Sequence, residues 1–191
     1  MRLTALLLSA LLPQDDAKDL WDFKPGTQWT YEEKEGEQKK KSVMTAKEKK
    51  DGKLILESKE YEEGAQEPTK TEALYSHAKD GFVIWGQIQD GKESEFLRVL
   101  KIGSKKGDKW KSPMGGAEVE VEVEHAGEEK ITVAGKEHTA IRCTFKIGDD
   151  PAASGSATYH LVRGMGLVRF HMKLGELGTF ALDLKEFKAG K

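Results

Sequence analysis

The chain has 191 residues, of which 37% are hydrophobic and 34% are charged, and its formal net charge is −2. This length and balance predict one domain with a substantial hydrophobic core. The small net charge gives no support for a nucleic acid or an anionic membrane as partner. The single cysteine, Cys143, excludes an internal disulfide, and the absence of Asn excludes N-glycosylation.

The first residues have the pattern of an export signal. Arg2 precedes an apolar run of ten residues, Leu3–Leu12, which is too short to span a bilayer. We therefore predict a signal peptide over residues 1–13, an exported product (periplasmic or extracellular), and no transmembrane segment in the mature chain. The alternative is a short N-terminal helix that docks on the domain. Residues 14–26 then form an N-terminal segment, which is predicted to be helical over residues 14–24.

Short alternating strands separated by turn residues fill residues 27–191. Asp51-Gly52, Asp80-Gly81 and Asp90-Gly91 are strong turn signals, and helical periodicity is absent after Gly26. The segment 104–116 is typical of a linker. We predict a single all-β domain, a strongly curved antiparallel up-and-down meander of roughly eleven strands that forms a half-barrel or a barrel.

Two predicted strands, over residues 82–88 and 96–102, are apolar on both faces. Strands of this kind are normally covered on both sides by other parts of the protein. We expect the segment around Trp21 and Phe23 to provide one cover. The alternative is that one face of these strands binds a partner or a ligand.

The last three strands set their own register through their apolar residues. A two-residue loop at residues 164–165 pairs Tyr159 with Phe170, because a slip by one residue would mix apolar and polar faces. A three-residue loop at residues 176–178 then pairs Phe170 with Leu184. One face of this meander is predicted to lie in the core and the other in solvent.

The polar face of these strands carries the best candidates for chemistry. His160, His171 and Asp183 are predicted to lie near one another, and three such ligands could in principle hold a divalent metal. Arg169 and Lys185 on the same face argue against a bound cation. We therefore predict a cross-strand polar network with no metal and no cofactor. No Gly-x-Ser-x-Gly elbow or Gly-rich phosphate loop is present, so we assign no catalytic residue.

Several short motifs resemble those of a known group of proteins. They are Pro25-Gly26 followed by Trp29 and Tyr31, and Gly164-Met165-Gly166-Leu167-Val168 before the last strand. In these motifs the chain resembles uncharacterised exported bacterial all-β domains. It is also distantly similar to the lipoprotein-carrier superfamily, whose half-barrel sheet holds acyl chains on its concave face. The resemblance implies fold and location, although this chain has little predicted helix to act as a lid.

A curled sheet has a concave side lined by one set of alternating residues. If these side chains meet, they fill the core, which we favour; if they leave a gap, the gap is expected to bind an apolar ligand. The predicted concave set, which is also the speculative ligand-binding set, is Trp29, Tyr31, Phe82, Ile84, Tyr159, Phe170 and Leu182.

The sequence thus favours an exported β-domain with a non-enzymatic binding or structural role. Its partner would be an apolar ligand or a protein of the cell envelope. One alternative is a carrier of an acyl or lipid-like ligand on the concave face of the sheet. A second is a hydrolase whose site the motifs above do not detect.

Overall fold

The computed structural model describes residues 19–20, 22–36, 38–62, 65–77, 80–115, 119–148, 154–175 and 178–191. Twelve strands lie in this part of the chain. In chain order they are β1 (Gln28–Glu35), β2 (Gln38–Lys50), β3 (Lys53–Tyr61), β4 (Thr69–His77), β5 (Phe82–Gln89), β6 (Lys92–Lys101), β7 (Lys109–Pro113), β8 (Glu120–Val133), β9 (Lys136–Ile147), β10 (Gly155–Val162), β11 (Gly166–Leu174) and β12 (Gly178–Lys188).

The strands form one antiparallel sheet in the order β6-β5-β4-β3-β2-β1-β12-β11-β10-β9-β8-β7. Because β6 and β7 come together at the two edges, the sheet is a nearly closed barrel, and the predicted fold class is confirmed. The additional strand is β7, which lies inside the segment interpreted as a linker. Its alternation is short but clear: Trp110 and Ser112 are buried, whereas Lys109 and Lys111 are exposed.

The seam between β6 and β7 is held mainly by side chains. The Ser112 hydroxyl accepts a hydrogen bond from the Arg98 backbone N–H (2.8 Å), and the Trp110 indole N–H donates to the Arg98 carbonyl (2.8 Å). Two irregularities in the ladder between β5 and β6 leave extra residues on β6. Such bulges bend a strand, and here the bent strand approaches the far edge of the sheet.

The two ends of the barrel differ. At the end that we call the closed end, residues 19–20 and 22–27 pack against the β10–β11 turn. The Phe23 ring lies 5.0 Å from the Trp29 ring in an edge-on arrangement, and the Gly164 N–H donates to the Asp19 carbonyl (2.7 Å). The opposite end, which we call the open end, carries the turns β1–β2, β3–β4, β5–β6, β7–β8, β9–β10 and β11–β12.

Long polar-tipped aromatic side chains cross the middle of the barrel. The Tyr159 hydroxyl donates to the Val99 carbonyl (2.6 Å) and the Tyr31 hydroxyl donates to the Leu167 carbonyl (2.8 Å). The Tyr159 bond joins strands that are distant in the sheet order, so it braces the barrel from inside, and the Tyr31 bond reaches past β12 to β11. Burial raises the pKa of both phenols. Cys143 is fully buried beside Tyr159, as its place on the apolar face of its strand predicts.

Part of the β8–β9 hairpin projects beyond its neighbours. β7 pairs with β8 only over Glu120–Glu124, and β10 pairs with β9 only over Ala140–Ile147. Residues 128–139, which we call the arm, follow a bulge at Gly127 (φ 108°). The arm lies over the outer face of the β10–β12 region, where a cleft of about 300 Å³ separates its tip from β11 and β12.

The predicted registers of the last hairpins are partly wrong. Tyr159 pairs with Phe170 as predicted, but the loop contains three residues because Leu161 pairs with Leu167. In the next hairpin Phe170 pairs with Leu182 instead of Leu184. A shift by two residues keeps every side chain on its face, so the apolar pattern cannot distinguish the two registers.

Two expectations concern the N-terminal segment. The predicted helix over residues 14–24 lies outside the described residues except at 19–20, which form a short helical turn, and at 22–24, which are not helical; the signal peptide over residues 1–13 lies entirely outside them. Phe23 packs against Trp29 and against Gly166, whose missing side chain leaves room for the ring. The prediction that Phe23 covers the strands that are apolar on both faces is therefore wrong, because Phe23 packs at the closed end instead.

Candidate binding site at the open end of the barrel

The barrel interior brings together most of the predicted concave set. Tyr159 is 0% exposed, Tyr31 is 2% exposed, and Trp29 and Leu182 are also buried. A side chain next to a space large enough for a water molecule would have accessible surface. The near-zero exposure of Tyr159 and Tyr31 therefore means that almost no such space lies beside them. Their packing favours the filled core over a central cavity. Whether any residue of the set contacts a ligand remains a prediction.

Phe82 and Ile84 are separated from this group. Successive side chains of a strand point to opposite faces, and Trp85 faces inward because its ring packs 5.5 Å from that of Tyr75. Phe82 and Ile84 therefore occupy the other face of β5. There the Arg98 guanidinium lies 4.9 Å from the centre of the Phe82 ring.

The neighbouring strands β11 and β12 continue the interior surface toward the open end. The ring of Phe170 lies 6.4 Å from that of the buried Phe145 and 6.0 Å from that of Phe180. Met172 pairs with Phe180 across the two strands. We define the apolar rim by the inward-facing residues that are half-buried at this end, namely Ile147, Phe170, Met172, Leu174 and Phe180.

Two exposed apolar side chains lie at the same end of the barrel. Val119, directly before β8, is 48% exposed, and Tyr61, the last residue of β3, is 42% exposed. No other large hydrophobic side chain in the described part of the chain is exposed to this degree. The sequence predicts Phe170 as a ligand contact but does not single out Met172 or Phe180, because alternation identifies an inward face without showing where the barrel ends.

The wall next to the apolar rim, on β1, β2 and β3, is polar. Glu33 and Glu60 share the inward face of their strands with Tyr31 and Ser58, and Lys40 lies on the strand between them. Burial raises the pKa of Glu60, and the neighbouring Glu33 carboxylate adds to this effect. Lys40 forms an ion pair with Glu62 (3.2 Å). The open end therefore combines an apolar wall with a charged one.

The predicted polar network on the outer face of the last strands is present. The His171 ring Nε2 lies 3.3 Å from the Asp183 Oδ1, and the Arg169 Nε donates to the same oxygen (2.9 Å). His160 pairs instead with Glu129 of the arm (2.8 Å). Among the described residues no three His, Cys, Asp or Glu side chains are arranged to hold a metal.

Other reactive side chains have structural surroundings. Burial raises the pKa of the Cys143 thiol to about 12, so the thiolate is disfavoured. Ser104 lies 3.1 Å from the Nδ1 of the buried His125, which is the distance of an ordinary hydrogen bond. This serine follows a strand in a tight turn and is not placed in an elbow between a strand and a helix.

No helix within the described residues is both long and apolar enough to cross a membrane.

Comparison with known proteins gives similarity in structure only. No protein-family model and no curated protein sequence matches the chain. A crystal structure of a presumed exported protein with a YmcC-like fold from Bacteroides fragilis is similar, with a TM-score of 0.55 and 10% identity. The match covers 87% of this chain and 97% of that one.

A crystal structure of a presumed lipoprotein from Parabacteroides distasonis is similar to the same degree. Its TM-score is 0.56 at 10% identity, over 88% of this chain and 99% of that one. At this identity the likeness concerns the fold alone. The chain therefore shares a barrel-like fold with proteins described as an exported protein and a lipoprotein, which is the kind of group that its motifs resemble.

Proposed function

We propose that this protein is an exported, non-enzymatic binding domain whose apolar rim holds an apolar group of a ligand or partner. One observation carries the proposal: half-buried Phe170, Met172 and Phe180 line the open end, directly above a filled interior. Burying the rest of each such side chain would favour binding by roughly 25 cal/mol per Å² of apolar surface removed from water.

Export is supported by two independent features. Arg2 followed by the apolar run Leu3–Leu12 has the form of a signal peptide, which we propose is removed near residue 13. The structural neighbours are themselves described as an exported protein and a lipoprotein. An envelope or extracellular location would place the rim where it can meet lipid-like molecules and other exported proteins.

The filled interior argues for binding at the rim and against a carrier of the half-barrel type, whose ligand lies along the concave face. Tyr31 and Tyr159 occupy that face, with their hydroxyls bonded to carbonyls of β11 and β6. A long acyl chain could enter only if these two hydrogen bonds broke. The rim, in contrast, is accessible without any rearrangement of the core.

The proposal is tested with an environment-sensitive naphthalene dye and a fluorescent fatty acid. Phe180→Ser should weaken binding of at least one of them about tenfold, because removing an aromatic contact of this size costs at least about 1.4 kcal/mol. Phe170→Trp should also weaken it by adding volume to the rim. Binding is measured by fluorescence titration on protein whose folding has been verified by circular dichroism.

Phe187→Ser is the matched control. Phe187 is also a half-buried phenylalanine of β12, but it packs against Trp29 at the closed end. Affinity should be nearly unchanged in this variant. Equal losses in the Phe180 and Phe187 variants would mean that the dye reports loosening of the fold, and no binding by the wild-type protein would leave the rim without the proposed role.

A further inference from the structure

A cavity lies on the outer face of β1, β2, β3 and β12, and Lys40 and Glu62 of the inward face also line it. It has a volume of about 480 Å³. Sites for small molecules typically have volumes of roughly 300–1,000 Å³. We call it the outer groove, and it is lined by Thr30, Tyr31, Glu32, Lys39, Lys40, Lys41, Tyr61, Glu62 and Lys185.

Strand register explains why these side chains meet. Lys41 pairs with Glu32 on β1 and with Tyr61 on β3, so the three lie side by side on the outer face. An irregularity between β1 and β12 leaves Lys185 as an extra residue opposite Thr30 and Tyr31. The bulge bends β12 locally, which contributes to the concave shape.

The charges in the outer groove do not balance. It contains four lysines but only two glutamates, in a chain whose net charge is −2. Glu32 already contacts Lys34 and Lys185 (3.3 Å each), and Glu62 contacts Lys40 (3.2 Å). Within the described part of the chain, Lys39 and Lys41 form no ion pair. Hydrogen bonds from Lys34 and Lys185 lower the pKa of Glu32, as expected where the local potential is positive.

The walls of the outer groove are also partly apolar. The Tyr61 ring is 42% exposed and stands at one side. The methylene stems of the lysines provide further apolar surface below their charged ends. A bare inorganic anion would use the ammonium groups and leave the ring and the stems in water.

We propose that the outer groove binds an organic anion, a phosphate or carboxylate group carried on an apolar chain or ring. The anionic group lies on Lys39 and Lys41, and the apolar part lies against Tyr61. This inference is independent of the proposed function of the apolar rim, which faces the inside of the barrel.

The test compares three probes at low ionic strength: octyl phosphate below its micellar concentration, inorganic phosphate and octanol. Isothermal titration calorimetry should give the highest affinity for octyl phosphate. The double variant Lys39→Gln/Lys41→Gln should weaken octyl phosphate binding at least about tenfold, since a charge-assisted contact contributes about 1.5–3 kcal/mol. Tyr61→Ser should weaken the binding of octyl phosphate but leave the affinity for inorganic phosphate unchanged.

The control variant is Lys109→Gln/Lys111→Gln. It removes the same charge from exposed lysines that pair with Glu122 and Glu120 across β7 and β8. Octyl phosphate should bind to this variant as to the wild type. An equal loss in both double variants would reveal only long-range charge attraction and overturn the site. Equal affinity for inorganic and octyl phosphate would overturn the apolar part of the proposal, and equal affinity for octanol would overturn the anionic part.

Discussion

The two ends of the barrel are built from the same strands, but their apolar side chains are covered at the closed end and half-exposed at the open end. At the closed end the N-terminal segment covers Trp29, and the Trp29 indole N–H donates to the Met165 carbonyl (2.6 Å). Gly190 near the C-terminus packs against the same segment, where its N–H donates to the Thr27 hydroxyl (3.0 Å). At the open end Phe180 and Met172 meet no such cover among the described residues.

This difference implies that the closed end contributes mainly to folding stability and the open end mainly to binding. An end whose apolar groups are buried and whose polar atoms are paired contributes to the free energy of folding. An end whose apolar groups are half-exposed contributes less, and it keeps surface that a partner can bury. We therefore expect substitutions at the closed end to affect unfolding most, and substitutions at the open end to affect binding most.

The largest expected effect is that of Trp29→Ala. Trp29 is buried, contacts the rings of Phe23 and Phe187, and carries the indole hydrogen bond described above. Truncating a buried aromatic side chain costs about 3–5 kcal/mol of unfolding free energy. Phe180→Ala, at the half-exposed rim, should cost about half as much or less. Urea denaturation monitored by circular dichroism measures both.

Trp29→Phe refines this prediction. It keeps most of the aromatic packing but removes the donor for the Met165 carbonyl, so the loss should lie at about 1–3 kcal/mol. If Trp29→Ala were no more destabilising than Phe180→Ala, the N-terminal segment would not seal the closed end in the way described, and the contrast between the ends would fail.

The same contrast marks how far the sequence could predict the protein. Alternation and turn residues were sufficient for an antiparallel barrel-like meander and for the inward positions of Trp29, Tyr31 and Tyr159. They were not sufficient for β7, where only two buried side chains, Trp110 and Ser112, alternate with lysines. Closure of the sheet depends on hydrogen bonds of those two side chains with β6, which no local pattern encodes.

The candidate site was harder to predict than the fold. Phe82 and Ile84 were assigned to the concave face because β5 is apolar on both sides, and periodicity cannot distinguish the inward face of such a strand. Phe180 could not be recognised as a rim residue until the register of β11 and β12 was known. The outer groove arises from a bulge and from pairing between distant strands, so no linear motif indicates it.

A smaller effect is expected from His160, which lies beneath the arm and is only 5% exposed. Burial lowers its pKa below the ordinary value, although Glu129 opposes this; Arg142 and Arg169 act in the same direction as burial. The unfolded chain then binds the proton at higher pH than the native protein does. The contribution of neutral His160 is therefore fully present above the unfolded pKa of about 6.5 and declines as pH falls toward the folded pKa.

This pH dependence is measured by urea denaturation at a series of values between about pH 7 and about pH 5, on either side of the unfolded pKa. His160→Gln should flatten the decline in unfolding free energy over that range. Thr158→Ala is the control, because Thr158 lies two residues from His160 on the same strand, has no titratable group and should leave the slope as it is in the wild type. An unchanged slope in His160→Gln would show that other groups cause the decline.

The smallest expected effect concerns the pair formed by His171 and Asp183. Burial acts to raise the pKa of Asp183, but the hydrogen bond from Arg169 and the charge of His171 outweigh it, so the pKa is lowered. The stabilisation from ionised Asp183 is therefore present above the unfolded pKa of about 3.9 and is lost as pH falls through the folded value. Arg169, the closer partner at 2.9 Å, carries more of this effect than His171 at 3.3 Å.

A double-mutant cycle with His171→Gln and Asp183→Asn separates the two contributions. The coupling energy should be below about 1 kcal/mol and should fall further in high salt, since His171 is 49% exposed at its side chain and exposed ion pairs are screened. Asp183→Asn alone should cost more than His171→Gln alone, because it also deprives Arg169 of its carboxylate. A coupling clearly above 1 kcal/mol that persists in salt would mean that this face is covered in the native protein, and the outer surface of β11 and β12 would then need a partner of its own.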